Sequence, residues 1–259
     1  MNIIIAVISQ KGGTAKTTTA GVLAAGLAEA GNRVLCIDAN EQGDLSDTFA
    51  AEPGDGTLEL LTGTDAARLI RKTNQPGVYI ITGDERLATA ERLIKTEGPE
   101  RGLILKASLR PIKRDFDYCI IDAPGSFNTL MLNALGAADR VIIPVQPDFY
   151  SLKSINRLIK NVRYVKENIN PTLRTDGILL TRYQGRRNIS KETAEILQDA
   201  QEALGTRLFN TRIRENARIT EAPGHRKTIL QYAPTSNGAI DYRAFIAEYQ
   251  AILKGAKRK

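Results

Sequence analysis

Apolar residues fall along this chain in short unbroken runs, separated by longer stretches in which they recur every three or four positions. Residues 3–8, Ile-Ile-Ile-Ala-Val-Ile, predict a buried strand, and the Ala/Leu-rich stretch 19–30 behind them has the period of a helix. The strand pattern returns at 33–38, 77–82, 116–122, 140–146, 176–181 and 208–213. Between these, 57–61, 65–72, 84–95, 100–113, 128–138, 151–166 and 190–204 read as helices. Pro111 stands near the end of one of them, and Ser190 reads as an N-cap with Glu192 in the first turn. Helix 151–166 sets Leu152, Ile155, Leu158, Ile159, Val162 and Val165 on one face. In 241–253, Tyr242, Phe245, Ile246, Tyr249, Ile252 and Leu253 share a face whose two tyrosines and moderate breadth predict docking onto a core. Strands alternating with helices predict one α/β domain over residues 1–259.

Composition narrows the setting. Of 259 residues, 42% are hydrophobic and 25% charged, enough for a large core. No apolar run is long enough to span a bilayer, and no basic-then-apolar leader precedes the first strand, so a cytoplasmic location is expected. Cys36 and Cys119 sit inside strand-like runs and read as buried, reduced thiols. With one histidine, His225, zinc chemistry is not expected. A net charge of +7 favours an anionic partner, nucleic acid or an acidic membrane surface. The absence of tryptophan and an aromatic content of 5% argue against base stacking on single strands. Lys153, Arg157, Lys160 and Arg163 on the polar side of 151–166 face either DNA or water. Lys257, Arg258 and Lys259 read as a frayed tail with nonspecific phosphate affinity.

The stretch Ser9-Gln10-Lys11-Gly12-Gly13-Thr14-Ala15-Lys16-Thr17-Thr18 carries the chemistry. Strand, glycine-rich turn and Lys-Thr at a helix start form the context of a phosphate-binding loop. Glycines let backbone N–H groups approach phosphate, and a helix N-terminus adds positive potential. Lys16 is expected to reach the terminal phosphates and Thr17 to ligate magnesium. Against G-x-x-x-x-G-K-[ST], Gln10 replaces the first glycine and Ala15 the second. Downstream, the apolar strand ending at Asp122 supplies a carboxylate that can hold magnesium through its water shell.

The Lys-Gly-Gly-x-x-Lys-Thr-Thr signature resembles the deviant Walker A loop of the ParA/MinD ATPases. The resemblance continues through Asp38-Ala-Asn-Glu-Gln-Gly-Asp44, like switch I, and Ala123-Pro-Gly-Ser126, like switch II. It runs on through 133–146 and through Arg214-Glu-Asn-Ala-Arg-Ile-Thr-Glu-Ala-Pro223, which is similar to Soj-type partition proteins. It implies a P-loop NTPase with a doubly wound, mostly parallel sheet, binding ATP and Mg²⁺ through Gly12, Gly13, Thr14, Ala15, Lys16, Thr17 and Thr18. Metal contacts would come from Thr17, Asp44 and Asp122. Thr181 or Arg182 would touch adenine. Arg214 stands where the family has Pro, which leaves backbone adenine contacts there open. Lys11 would reach across a homodimer to the other subunit's nucleotide.

Asn40 replaces the family's second Asp; an amide can hold the attacking water but cannot take its proton and stay neutral. Asp44 could compensate, or be an ordinary loop carboxylate. The implied activity is slow ATP hydrolysis, with nonspecific double-stranded DNA bound by the dimer through Arg186, Arg187, Arg218 and Lys227, or these are solvated charges. A ParB-like partner would stimulate hydrolysis and release a nucleoid-associated protein. The rival readings are a MinD-like membrane-positioning ATPase and a nucleotide switch that barely hydrolyses.

Overall fold

The computed structural model describes residues 3–256, so the basic tail Lys257, Arg258 and Lys259, and the side chain of Leu152, lie outside the described residues. Eight strands form one sheet: β1 (Ile3–Val7), β2 (Val34–Asp38), β3 (Arg71–Lys72), β4 (Val78–Ile81), β5 (Tyr118–Asp122), β6 (Arg140–Val145), β7 (Arg174–Tyr183) and β8 (Leu208–Arg214). Their order is β3-β4-β2-β5-β1-β6-β7-β8, and every pairing is parallel except β3 with β4. Chain direction reverses its march across the sheet beside β1, which makes the end of β1 a switch point where α/β sheets bind ligands.

The unbroken apolar runs of β1 and β2 follow from cover on both faces. Ile3, Ile5, Val7, Val34 and Cys36 pack on one side, against α1 (Lys16–Glu29). Ile4, Ala6, Leu35, Ile37 and Cys119 pack on the other, with α2 (Thr129–Ala137) and α3 (Ser151–Asn168). There Ile155, Leu158, Ile159, Val162 and Val165 are buried and Lys153, Arg157, Lys160 and Arg163 exposed, as the period of the helix predicts. α4 (Asn188–Asp199) contributes Ala194 and Leu197 to that side. α5 (Asn237–Ala256) returns to the α1 side, where Tyr242, Phe245 and Tyr249 are each 0% exposed. Its apolar face is thus spent inside the protein, and no described helix is long and apolar enough to cross a membrane.

The periphery departs from expectation where tertiary contacts overrule local pattern. The predicted helix 65–72 is helical only at Ala66–Leu69; Ile70 turns extended (ψ 127°), and Arg71, paired in β3, reaches the Thr82 hydroxyl at 2.8 Å. Predicted helix 84–95 is a 3₁₀ turn, Glu85–Thr89, followed by Ala90–Leu93. Predicted helix 100–113 splits into Pro99–Gly102 and Ile104–Leu109; Arg110 keeps helical backbone, and the ladder stops at Pro111, which has no N–H to continue it. Ser190 is not an N-cap: Arg187 holds that position with extended backbone, while Ser190 lies buried in the first turn. The helix predicted over 190–204 also breaks, into α4 and Gln201–Leu204.

Candidate phosphate-binding site

The loop between β1 and α1 is shaped by two left-handed residues, Gly13 (φ +75°) and Ala15 (φ +61°), the latter in the N-cap position of α1. The strict motif has glycine at Ala15, and a Cβ in this conformation costs about 1–2 kcal/mol. The loop is tied down from outside. Thr181, fully buried at the end of β7, donates its hydroxyl to the Thr14 carbonyl at 2.9 Å.

At the head of α1, Lys16 Nζ donates to Asp122 Oδ1 at 2.6 Å and Thr17 Oγ1 to Asp122 Oδ2 at 2.7 Å. Asp122, at the end of β5, is fully buried. Because Thr17 gives its proton to Asp122, its oxygen lone pairs remain available to a cation. No group of three or more His, Cys, Asp or Glu gathers as a metal cage among the described residues. A hydroxyl with one or two carboxylates suits a hard cation that keeps most of its water, as magnesium does.

The next strand adds a residue that sequence reasoning did not assign. Asp38 ends β2 in register with Asp122 and accepts three bonds: Asn40 N–H at 3.2 Å, Ser46 N–H at 2.9 Å and the Ser46 hydroxyl at 2.7 Å. Burial, and then the charge of Asp122, push the Asp38 carboxyl up to about 7. Asp38 thereby anchors the loop carrying Asn40 and Asp44. Its signal was its place at the end of an apolar strand, the same signal that marked Asp122. Burial and then Asp122 also raise the Asp44 carboxyl, against the opposing charge of Lys16.

These residues open onto a cleft of about 510 Å³, lined among others by Lys11, Lys16, Thr17, Asn40, Asp44 and Gly125. A second cleft, of about 490 Å³, shares Gly13, Ala15 and Thr18 with the first and runs on past Thr181 and Arg182 to Arg214. Arg182 is left-handed (φ +50°), and a Cβ on Gly13 would lie 3.6 Å from its Nη1. Arg214 lines this cleft, but its backbone N–H and its guanidinium are bound to Asp241.

Lys11 stands at the rim of the first cleft and is paired within its own chain, its ammonium on Asp148 Oδ2. The same carboxylate accepts Tyr150 N–H at 3.0 Å and Ser151 N–H at 3.1 Å. Burial pushes the Asp148 carboxyl up, but the bonds from Lys11 and Ser151 outweigh it and hold the group below its ordinary range. Sequence reasoning did not single out Asp148; an Asp three residues ahead of Ser151 was its only trace.

The basic candidates are less gathered. Arg186 and Arg187 are exposed in the turn after β7, and Lys227 is exposed beyond the 222–225 turn. Arg218 is exposed and paired to Glu221 at 2.8 Å. β7 and β8 are parallel, so the segments carrying Arg186, Arg187 and Arg218 leave the sheet at the same end as the phosphate loop.

The 123–128 loop enters α2 through a carboxylate from elsewhere in the chain. Glu91 Oε2 accepts the Thr129 N–H at 3.1 Å and also its hydroxyl. The hydroxyl bond, joined by the N–H and Arg101 against a smaller burial effect, holds the Glu91 carboxyl below its usual range. A depressed folded pKa gives stability that is full above the unfolded value, about 4.3, and fades as pH falls through the folded one. Glu91→Gln is therefore expected to cost about 0.5–1 kcal/mol at pH 7, discounted for exposure, and nothing in acid. Urea unfolding at pH 7 and at pH 3 checks it.

Comparison with known proteins accords with this geometry. A family model described as an AAA domain matches residues 2–175. The chain is 36% identical over 258 residues to the sporulation initiation inhibitor protein Soj of Bacillus subtilis, covering 97% of this chain and 99% of that protein. It is 36% identical over 254 residues to the chromosome-partitioning ATPase Soj of Thermus thermophilus, covering 97% of each. Among solved structures it is similar to cobyrinic acid a,c-diamide synthase of Mycobacterium smegmatis with bound ADP and magnesium, at a TM-score of 0.83 and 29% identity, over 99% of this chain and 96% of that one.

Proposed function

The chain belongs to the ParA/Soj-type partition ATPases with the deviant Walker A loop, and from that premise we propose that its ATP-bound form pairs, binds DNA without sequence preference, and lets go when a partner stimulates hydrolysis. It is an ATP-binding P-loop ATPase of the ParA/MinD class. The observation that carries the proposal is the convergence of Lys16 and Thr17 on Asp122 at the head of α1, with Lys11 on the rim of the same cleft.

In this reading Lys16 exchanges Asp122 for the terminal phosphates, and the backbone of Gly12 to Thr18 cradles them at the positive end of α1. Thr17 and Asp122, with Asp44, would hold magnesium, which when bound would supply positive charge against that developing on the phosphates. Thr181 and Arg182 border the adenine. Asn40 holds the attacking water by its amide, and turnover is slow because the amide cannot take the proton.

That substitution also supports the narrower reading of a nucleotide switch with little turnover of its own. Asn40→Asp is expected to raise turnover by about tenfold or more, since a positioned general base contributes about 10²–10⁴-fold. Phosphate release with DNA present measures it.

Pairing places two triphosphates at one interface, where Lys11 of each protomer neutralises the other's charge. Two weak DNA footprints, carried by Arg186, Arg187, Arg218 and Lys227, then act as one through effective concentration. Their contacts are to phosphates, so binding is steeply salt-dependent and nucleoid association follows from it. A ParB-like protein is the expected partner, and residues 1–259 act as one unit. Light scattering with ATP, with ADP and without nucleotide tests the proposal. A doubling of mass only with ATP and magnesium supports it; a monomer throughout overturns it.

A further inference from the structure

β8 is one edge of the sheet, and its ladder to β7 is irregular, with register shifts between Ile178 and Leu180 and again between Leu180 and Tyr183. Past these shifts the ladder resumes only at its end, where Arg214 pairs with Tyr183 and Glu215 N–H donates to the Tyr183 carbonyl at 3.2 Å. Yet that end leads into a wall of the second cleft, formed by Arg214, Glu215, Asn216, Ala217 and Ile219.

α5 adds a second grip. Asp241 and Glu248 stand at i and i+7, two turns apart on one helix face. Glu248 accepts the N–H groups of Asn210 at 2.8 Å and Thr211 at 2.9 Å, which also covers part of the open edge. Asp241 accepts the Arg214 N–H at 2.9 Å, its Nη2 at 2.7 Å and its Nε at 2.9 Å. Just upstream, Gly238 lets the cleft wall come close: a Cβ there would lie 2.8 Å from Ile219 Cγ1. Tyr242, beside Asp241, lines the cleft and shares a hydrogen bond of 3.2 Å with the Thr19 hydroxyl.

We infer that the Arg214–Asp241 pair is a positioning element for the base of the nucleotide, through which the C-terminal helix sets the shape of the second cleft. The inference rests on the nucleotide reading above and adds to it a part of the molecule far along the chain from the phosphate loop. Arg214 acts as a tether, with its N–H, Nε and Nη2 all held by Asp241. The Arg214 side chain is 48% exposed, so the pair adds little to global stability. Its bidentate geometry instead fixes one segment in one place. Phosphate binding depends on residues 11–18 and is independent of this clamp.

Titration calorimetry with magnesium and either ATP or inorganic tripolyphosphate separates the two ends of the ligand. Arg214→Ala and Asp241→Asn are each expected to weaken ATP about tenfold through lost preorganisation, and to leave tripolyphosphate within about twofold of wild type. If Arg214→Ala does not fold, the near-isosteric Asp241→Asn carries the test. Equal losses for both ligands, or unchanged ATP affinity in the single variants, overturn the inference. So does a wild type that binds ATP no better than tripolyphosphate, which leaves the phosphate reading standing. A wild type that binds neither ligand removes the nucleotide reading beneath both.

Discussion

Lys16→Ala is expected to weaken ATP binding by about a hundredfold or more and, with no nucleotide present, to destabilise the fold. Two effects are superimposed at this one side chain. Toward nucleotide, Lys16 makes charge-assisted hydrogen bonds to the terminal phosphates, each worth about 1.5–3 kcal/mol, so its loss lowers affinity by about a hundredfold or more. Toward the protein, its ammonium is the charge partner of Asp122 at 2.6 Å, with side chains 11% and 0% exposed. Removing one member of a buried pair leaves the other uncompensated and costs about 3–5 kcal/mol. The two effects separate in the double variant Lys16→Ala/Asp122→Asn, which is expected to recover most of the stability and none of the ATP affinity. Thermal melts and calorimetry on the three proteins check both halves. ATP affinity within a few-fold of wild type in Lys16→Ala would remove the phosphate role from this residue.

How much of this was readable beforehand depends on the range of the contact. The strand, loop and helix around Lys16 are local: glycines, an apolar run before them and a helical period after them fall within thirty residues, and the structure has them there. The Asp122 strand end was legible for the same reason, as was the buried face of α5, whose period is set by its own sequence. Between 65 and 113 the strand at 77–82 was legible as β4, but the helices were not, because they are only one or two turns long and are arranged by neighbours such as Thr82 and Asn133. The partners that tune the site were beyond reach altogether. Asp148 meets Lys11 across 137 positions of chain, and Asp241 meets Arg214 across 27. Nothing in the composition around either aspartate marks it for that pairing; only the fold brings them together.

Lys11→Ala is expected to leave ATP binding to the monomer within a few-fold of wild type and to weaken ATP-dependent pairing by about a hundredfold or more. The contrast with Lys16 follows from placement. Lys16 lies at the head of α1 against a buried carboxylate, whereas Lys11 sits at the rim with its side chain 35% exposed and Asp148 25% exposed. A pair that open contributes at most about 1 kcal/mol, so Lys11 leaves it readily for a triphosphate of higher charge. At an interface that removes two triphosphates from water, the same ammonium faces far less screening, and its loss leaves phosphate charge buried without a partner. Asp148 competes with that transfer. Asp148→Asn is therefore expected to tighten pairing by up to about thirtyfold, because two pairs of at most about 1 kcal/mol each are broken per dimer. Sedimentation of wild type, Lys11→Ala and Asp148→Asn across an ATP series checks the order. Pairing of Lys11→Ala at wild-type ATP concentrations would mean that the lysine stays on its own aspartate and that the interface forms without it.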